Sequence, residues 1–394
     1  MERTLTRKCS REVLLGILVS FCLCFALIFL HNSTPLRFSN WVNILGNRHV
    51  HNIFDSCSGR YIYVYDDLPA KFNYDLLSNC KSLSSGTTSD SGDNKNMCPY
   101  LVNMGLGPEI ESSRGVLANK SWFTTNPYLL EVIFHNRMKQ YECLTNISTL
   151  ASAIYVPCYT GLDASLHLWD TNLTVRDASA KDLLKWISGK SEWKRMWGRD
   201  HFMVTGRTSW DFRRTNNSSE WTWGNFSGVN CNNPVTVMKV FQSSVFCLQP
   251  PGDSHTRRSA FDSMLAGCIP VFFNPGSAYN RYLWHLPDNH STYSVFFPAK
   301  DVNDLKNVSI EKRLLGISKE RQLEMRTKVI KLIPKLVYAD PRSRLVTEDA
   351  FDFAVMGILE RIENVRQLIR EGKDPRIGFA DEDSLKYTFP ETLE

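Results

Sequence analysis

Strands alternating with amphipathic helices through both halves of this 394-residue chain predict an α/β fold on parallel, Rossmann-like sheets, carried behind one apolar N-terminal segment. Three observations support that reading. Short β-branched and aromatic runs recur at Arg60–Tyr65, Ala153–Pro157, His201–Thr205, Ser244–Leu248 and Cys268–Phe273. Between them, apolar residues fall three and four apart, as at Leu129, Leu130, Ile133, Phe134 and Met138, which is helical spacing. Residues 13–30, VLLGILVSFCLCFALIFL, are apolar and uncharged throughout.

At about 1.5 Å per residue, that N-terminal run is just long enough to cross a bilayer as one helix. Arg3, Arg7, Lys8 and Arg11 precede it, so the positive-inside rule places residues 1–12 in the cytosol and the rest in the lumen. The alternative is a cleaved signal peptide. The run is longer than the usual core of about 7–15 residues, however, and ends without an A-x-A-type site. A luminal body agrees with sequons at Asn32, Asn119, Asn146, Asn172, Asn216, Asn217, Asn225, Asn289 and Asn307. Eight of the eleven cysteines also follow the anchor. Cys80 and Cys98 flank a polar insert and are the first expected disulfide. Cys158, Cys247 and Cys268 read equally well as buried thiols.

The net charge of +5 is too mild for nucleic acid, and no RNA-binding motif or arginine-rich arm is present. A basic surface favours a small anionic ligand. Residues 31–58 read as a polar stem and 81–96 as a loop. Helices are expected at 181–186, 236–242, 256–266, 319–333 and 347–370, with Gly267 at the position that ends a helix.

Phe246 to Pro275, FCLQPPGDSHTRRSAFDSMLAGCIPVFFNP, carries the most specific chemistry. It reads as strand, turn-rich loop, helix, strand. A loop at the carboxyl end of a parallel strand and the start of a helix is where open α/β sheets bind ligands. The helix start offers free N–H donors and partial positive charge to a diphosphate. Gly252 permits close backbone approach, with Asp253 beside it in the same loop. Ser254 or Thr256 can cap the helix and bond a phosphate oxygen. Arg257 and Arg258 neutralise charge, and Asp262, one turn after Arg258, can accept from ribose hydroxyls. The alternative is that Arg258 and Asp262 form an ordinary surface pair.

This segment closely resembles the C-terminal signature of the plant exostosin-like glycosyltransferases (glycosyltransferase family 47), in particular the xyloglucan galactosyltransferase branch. GRYIYVYDDLPAKFN from Gly59, Gly105-Leu-Gly-Pro108, EVIFHNRMKQYECLTN from Glu131, AIYVPCYTGLD from Ala153, GRDHFMVTGRTSWDFRR from Gly198, Tyr279–Pro287 and Leu336–Ser343 follow in the family's order. The resemblance implies a GT-B architecture, two Rossmann-like domains facing a cleft. It further implies an inverting transfer of galactose from UDP-galactose to xylosyl side chains of xyloglucan in the Golgi, with no metal. The expected layout is a cytosolic tail (1–12), a transmembrane signal-anchor (13–30), a luminal stem (31–58), an acceptor-side domain (59–230), a nucleotide-sugar domain (231–370) and a charged tail (371–394). Expected partners are a UDP-sugar, a xyloglucan acceptor, the Golgi membrane and other Golgi glycosyltransferases.

No well-placed Asp-x-Asp is found; Asp66-Asp67 and Asp381/Asp383 read as solvated. Inversion needs a base for the acceptor hydroxyl. Asp163 is favoured, then His201, with Asp200 and Asp211 also considered; each is equally readable as a turn or cap residue. His135, on an apolar helix, reads as a core histidine. Trp169, Trp210, Trp221 and Trp223 can stack on sugars or fill the core. The chain departs from the family after Trp223-Gly-Asn225, where a long stretch bearing the first strand and glycine loop of the second domain is missing. That departure leaves two alternatives open: a non-catalytic partner of Golgi glycosyltransferases, or an enzyme using another UDP-sugar, a uronic acid or arabinose.

Overall fold

A computed structural model describes residues 55–83, 96–110, 116–117, 122–167, 172–207, 234–250, 255–298, 309–340, 342 and 348–375. Two three-stranded parallel sheets organise them. The first takes β1 (Ile62–Val64), β2 (Ala153–Tyr155) and β3 (His201–Phe202) in that order. The second takes β4 (Phe246–Gln249), β5 (Ile269–Phe272) and β6 (Val295–Phe296). Mixed α/β architecture with parallel pairing is thus as the alternating pattern predicted. The apolar segment 13–30 lies outside the described residues, and among those described no helix is long and apolar enough to cross a membrane.

Between β1 and β2 the chain forms α1 (Tyr74–Ser78) and α2 (Leu130–Met138). The entry to α2 is set by Asn126-Pro127. The Asn126 carboxamide accepts from the Tyr128 amide at 3.0 Å, and proline suits the first position of a turn whose N–H has no partner. α3 (Thr160–Leu166), α4 (Leu173–Ser188) and α5 (Ser191–Met196) join β2 to β3. α6 (Pro234–Gln242) leads into β4, and α7 (Arg258–Leu265) joins β4 to β5. After α7, Gly267 takes φ +72°. Its amide bonds Met264 and the next bonds Ser263, so the last carbonyls are satisfied by a Schellman turn that only glycine enters cheaply. α8 (Ile310–Leu315), α9 (Lys319–Leu336) and α10 (Ala350–Arg370) complete the order.

Each sheet is covered on both faces because alternate residues of its strands point opposite ways. Ile62, Ala153 and Tyr155 pack with Phe134 and Met138 of α2 and with Phe351, Val355 and Ile362 of α10. Ile154 and Val156 face Leu183 and Ile187 of α4. In the second sheet Phe272 and Phe296 meet Met264 of α7 and Val329 and Leu332 of α9. Thus α10, although it follows the second sheet in sequence and falls inside the expected 231–370 domain, packs on the first. Arg137 of α2 holds it there: Nε reaches Asp349 at 3.1 Å and Nη2 reaches Asp352 at 3.2 Å.

Three disulfides staple the body: Cys57–Cys143, the expected Cys80–Cys98, and Cys247–Cys268. The last pair joins neighbouring strands rather than remaining two buried thiols, whereas Cys158 is free and buried. Among the described residues β4 pairs only with β5. On and beside its other edge, Leu248 is 52% and Val245 43% exposed. Those are unusual values for a strand inside a layered α/β fold.

Candidate functional site

In the second half, the carboxyl end of β4 feeds the start of α7. Arg257 is the N-cap residue in extended conformation, and no side chain caps the helix. Thr256, expected as a possible cap, instead shares a hydrogen bond of 2.7 Å with the Tyr282 hydroxyl. The first helical amides and the positive end of the helix dipole therefore have no side chain upon them. Gln249, at the end of β4, is buried; its Oε1 accepts from Ser259 Oγ at 2.7 Å, while its Nε2 is buried with no partner. Gly276, in the turn after β5, lies so close to the β4 loop that a Cβ there would stand 3.3 Å from His255 and 3.0 Å from Asn274 Oδ1. Gly252, Asp253 and Ser254 lie outside the described residues.

Arg258 and Asp262 form the i,i+4 pair, Nε to Oδ2 at 3.2 Å. Burial pushes the Asp262 carboxyl above its ordinary value, and Arg258 offsets that in part. The pair is more than a surface ornament, because Arg258 Nη1 also donates to the Thr125 carbonyl at 2.6 Å. That bond ties the start of α7 to the segment leading into α2, in the first half.

Around that segment the first half places a polar knot at the carboxyl ends of β2 and β3. Glu131, second residue of α2, is fully buried. Its carboxylate accepts from the amides of Gly161 (2.5 Å), Leu162 (3.2 Å) and Gly206 (3.3 Å). Burial raises its pKa to about 7, although these donors pull the other way. A Cβ on Gly161 would meet Glu131 Oε1 at 2.8 Å, so only glycine permits the approach. Arg207 donates from Nε to the Gly161 carbonyl at 2.9 Å, and its guanidinium lies 4.1 Å from the centre of the Tyr128 ring. Arg207 Nη2 is buried without a partner.

The candidate bases fall differently. Asp163 sits in the first turn of α3, directly after β2, and is half-buried. Burial raises its carboxyl above the ordinary range, and the Ser179 hydroxyl and His167 counter that rise. Such a group suits proton transfer. His201 is engaged at both nitrogens: Nδ1 meets Asp200 at 2.8 Å and Nε2 meets the Tyr65 hydroxyl at 3.0 Å, with its side chain 4% exposed. Burial would raise the Asp200 carboxyl, but hydrogen bonds from His201 and Arg195 outweigh that and hold it low. This Arg195–Asp200–His201–Tyr65 chain ties β1 to β3 beneath α4 and α5; neither His201 nitrogen is open to a substrate. His135 is likewise a satisfied core group, bonding Tyr159 at 2.8 Å, with burial lowering its pKa to about 4. Asp67 pairs with Lys190. Asp211, Asp381, Asp383 and the four tryptophans considered for sugar stacking are outside the described residues. Of the sequons, Asn146, Asn172 and Asn289 are described and exposed, with Asn172 also capping α4.

Sequence reasoning missed Glu131, Arg207, Tyr128 and Gln249. Glu131 had a readable signal, a charge inside the apolar run Leu129–Phe134, where burial demands partners. Gln249 had none, since its role depends on where Ser259 lands.

Comparison with known proteins bears on both halves. Residues 56–233 and 219–314 match the family description Exostosin GT47 domain. The chain is 41% identical to the xyloglucan galactosyltransferase MUR3 of Arabidopsis thaliana over 435 aligned positions, 87% of this chain and 68% of that protein. It is 46% identical to the probable xyloglucan galactosyltransferase GT14 of the same plant over 426 positions, 85% of this chain and 80% of that one. Xyloglucan-specific galacturonosyltransferase 1, also from Arabidopsis, is 31% identical over 78% of this chain and 58% of its own length. In the MUR3 alignment 435 positions face 87% of 394 residues, about 343, so about 92 positions have no counterpart here. The GT14 alignment gives about 91 by the same arithmetic. The family match breaks and restarts around residues 219–233, just before α6 and β4, where the sequence itself shows its departure. Across residues 56–314, on both parallel sheets and through the start of α7, this chain belongs to the exostosin GT47 family.

Proposed function

We propose that this chain is a UDP-sugar-dependent glycosyltransferase acting on xyloglucan, transferring galactose from UDP-galactose to xylosyl side chains in the Golgi lumen. Residues 13–30 serve as its type II anchor, and the two sheets form the two halves of a GT-B cleft. The observation that carries the reading is the uncapped start of α7 at the end of β4, with Arg258 reaching across to Thr125. The diphosphate lies at that helix start, where Arg257, Arg258 and the amides take up the charge of the departing UDP. The acceptor hydroxyl attacks from the first half with inversion, and Asp163 takes its proton. In this reading no metal ion is needed for the leaving group. MUR3 and GT14 support galactose, and the galacturonosyltransferase keeps a uronic acid donor in view.

The shortfall of about 90 residues before β4 favours a second reading, a non-catalytic partner of active Golgi glycosyltransferases. One assay separates the two. The full chain in detergent micelles is incubated with UDP-galactose and a xylosylated glucan oligosaccharide, and products are read by mass spectrometry. Galactosylated product that disappears with Arg258→Ala supports the enzyme. UDP binding without transfer, from this or any other UDP-sugar, refutes it in favour of the partner.

A further inference from the structure

Arg207 is a charged residue, 94% removed from solvent, whose Nη2 has no partner in the protein (relative exposure 6%). Its other contacts fix it firmly: Nε on the Gly161 carbonyl at 2.9 Å, and the guanidinium plane 4.1 Å from the Tyr128 ring centre. A guanidinium so held cannot swing to find water, and a buried donor without an acceptor is expensive to leave unmade. The missing acceptor must come from elsewhere. Glu131, the nearest carboxylate in the knot, is already committed to three backbone amides.

Location says what that acceptor is. Arg207 lies at the carboxyl ends of β2 and β3, the edge at which open α/β sheets bind ligands. Tyr128, beneath it, is three residues from Thr125, whose carbonyl holds Arg258. Three residues span at most about 11 Å, so Arg207 stands within one sugar-phosphate length of the α7 start. Resting on the glycosyltransferase reading above, we infer that Arg207 Nη2 donates to an oxygen of the sugar being transferred, and so helps to select the glycosyl group. Tyr128 and Gly161 are its positioning partners. Glu131 in turn holds the loops that carry Gly161 and Arg207.

The test uses the full chain in detergent micelles. Affinities for UDP, for UDP-galactose and for a xylosylated oligosaccharide are measured by calorimetry in wild type, Arg207→Lys and Arg207→Gln, with melting temperatures alongside. Lysine keeps charge but loses the fixed fork. The inference requires UDP-galactose affinity to fall about tenfold or more in both variants while UDP affinity stays within twofold. Loss confined to the oligosaccharide moves the oxygen to the acceptor and overturns the inference, as does no loss for any ligand, which would mean that ordered water satisfies Nη2. If wild type binds neither UDP nor UDP-galactose, the glycosyltransferase reading itself falls. Should either variant fold poorly, hydrogen exchange on wild type decides: UDP-galactose must protect residues 203–207 more than UDP does, and equal protection refutes the inference.

Discussion

The buried clamp between α2 and α10 gives a prediction whose size follows from the structure. Arg137 meets Asp349 at 3.1 Å with both side chains 5% exposed, reaches Asp352 at 3.2 Å, and lies 4.7 Å from the Phe351 ring centre. Arg137→Ala deletes the cation and leaves the Asp349 carboxylate buried. Removing one partner of a buried pair typically costs about 3–5 kcal/mol, mostly as the penalty on the stranded charge. Asp349 is partly cushioned, because it caps α10 and accepts from the amides of Phe351 (3.1 Å) and Ala339 (2.8 Å). The lower end of the range, about 3 kcal/mol, is therefore expected. The assay is chemical denaturation of the full chain in micelles, followed by circular dichroism, in a double-mutant cycle with Asp349→Asn. The two substitutions should couple by more than about 1 kcal/mol, since each removes what the other strands. A loss below about 1 kcal/mol for Arg137→Ala, or additive losses, would show that the pair does not anchor α10 to the first sheet.

Two further outcomes are expected. Cys57–Cys143 closes a separation of 86 residues and Cys80–Cys98 one of 18. Loop-closure entropy then gives about 4.6 and 3.2 kcal/mol, so Cys143→Ser should lower the denaturation midpoint more than Cys80→Ser; the reverse order would contradict the chain-entropy argument. Glu131 should make stability fall as pH rises. Its folded pKa of about 7 lies above the ordinary 4.5, so its contribution is fully present below pH 4.5 and is lost through pH 7, on the order of 3 kcal/mol in all. Glu131→Gln should flatten this part of the stability profile, and an unchanged slope between pH 5 and 7 would assign it to other groups.

How far the sequence reaches can be judged from particular residues. The strands were readable because each is a short apolar run with turn chemistry after it, and Gly267 announced the end of α7 by its own backbone freedom. The helices at 160–166, 191–196 and 310–315 were not readable, since each is under eight residues and too short for periodicity to register. At the site, the Arg258–Asp262 pair was legible as an i,i+4 spacing, yet its bond to Thr125 joins residues 133 apart in sequence. His201 looked available in a loop-edge motif; only packing shows Tyr65 upon one nitrogen and Asp200 upon the other. Local chemistry is written in the chain, whereas partners across the fold are set by tertiary packing.

The shortened middle carries one more consequence. In doubly wound sheets a nucleotide lies where strand order reverses, with one wall of the crevice supplied from each side. Here β4 is an edge strand among the described residues, and about 90 positions that relatives possess are missing just before it. What survives is the phosphate end: the α7 amides, Arg257, Arg258 and the spare Gln249 amide. None of these reads a base. Asp262, the one group suited to ribose, is held by Arg258. Binding at this site should therefore depend on phosphate and be indifferent to base, so UDP and GDP should bind the full chain within about threefold of one another, about 0.6 kcal/mol. Both affinities should weaken steeply with salt, because charge provides most of the attraction. Calorimetry with the two nucleotides at two ionic strengths is decisive. Preference for UDP beyond about tenfold, or 1.4 kcal/mol, would mean that the base still meets a specific wall, and the argument from the open edge of β4 would be wrong.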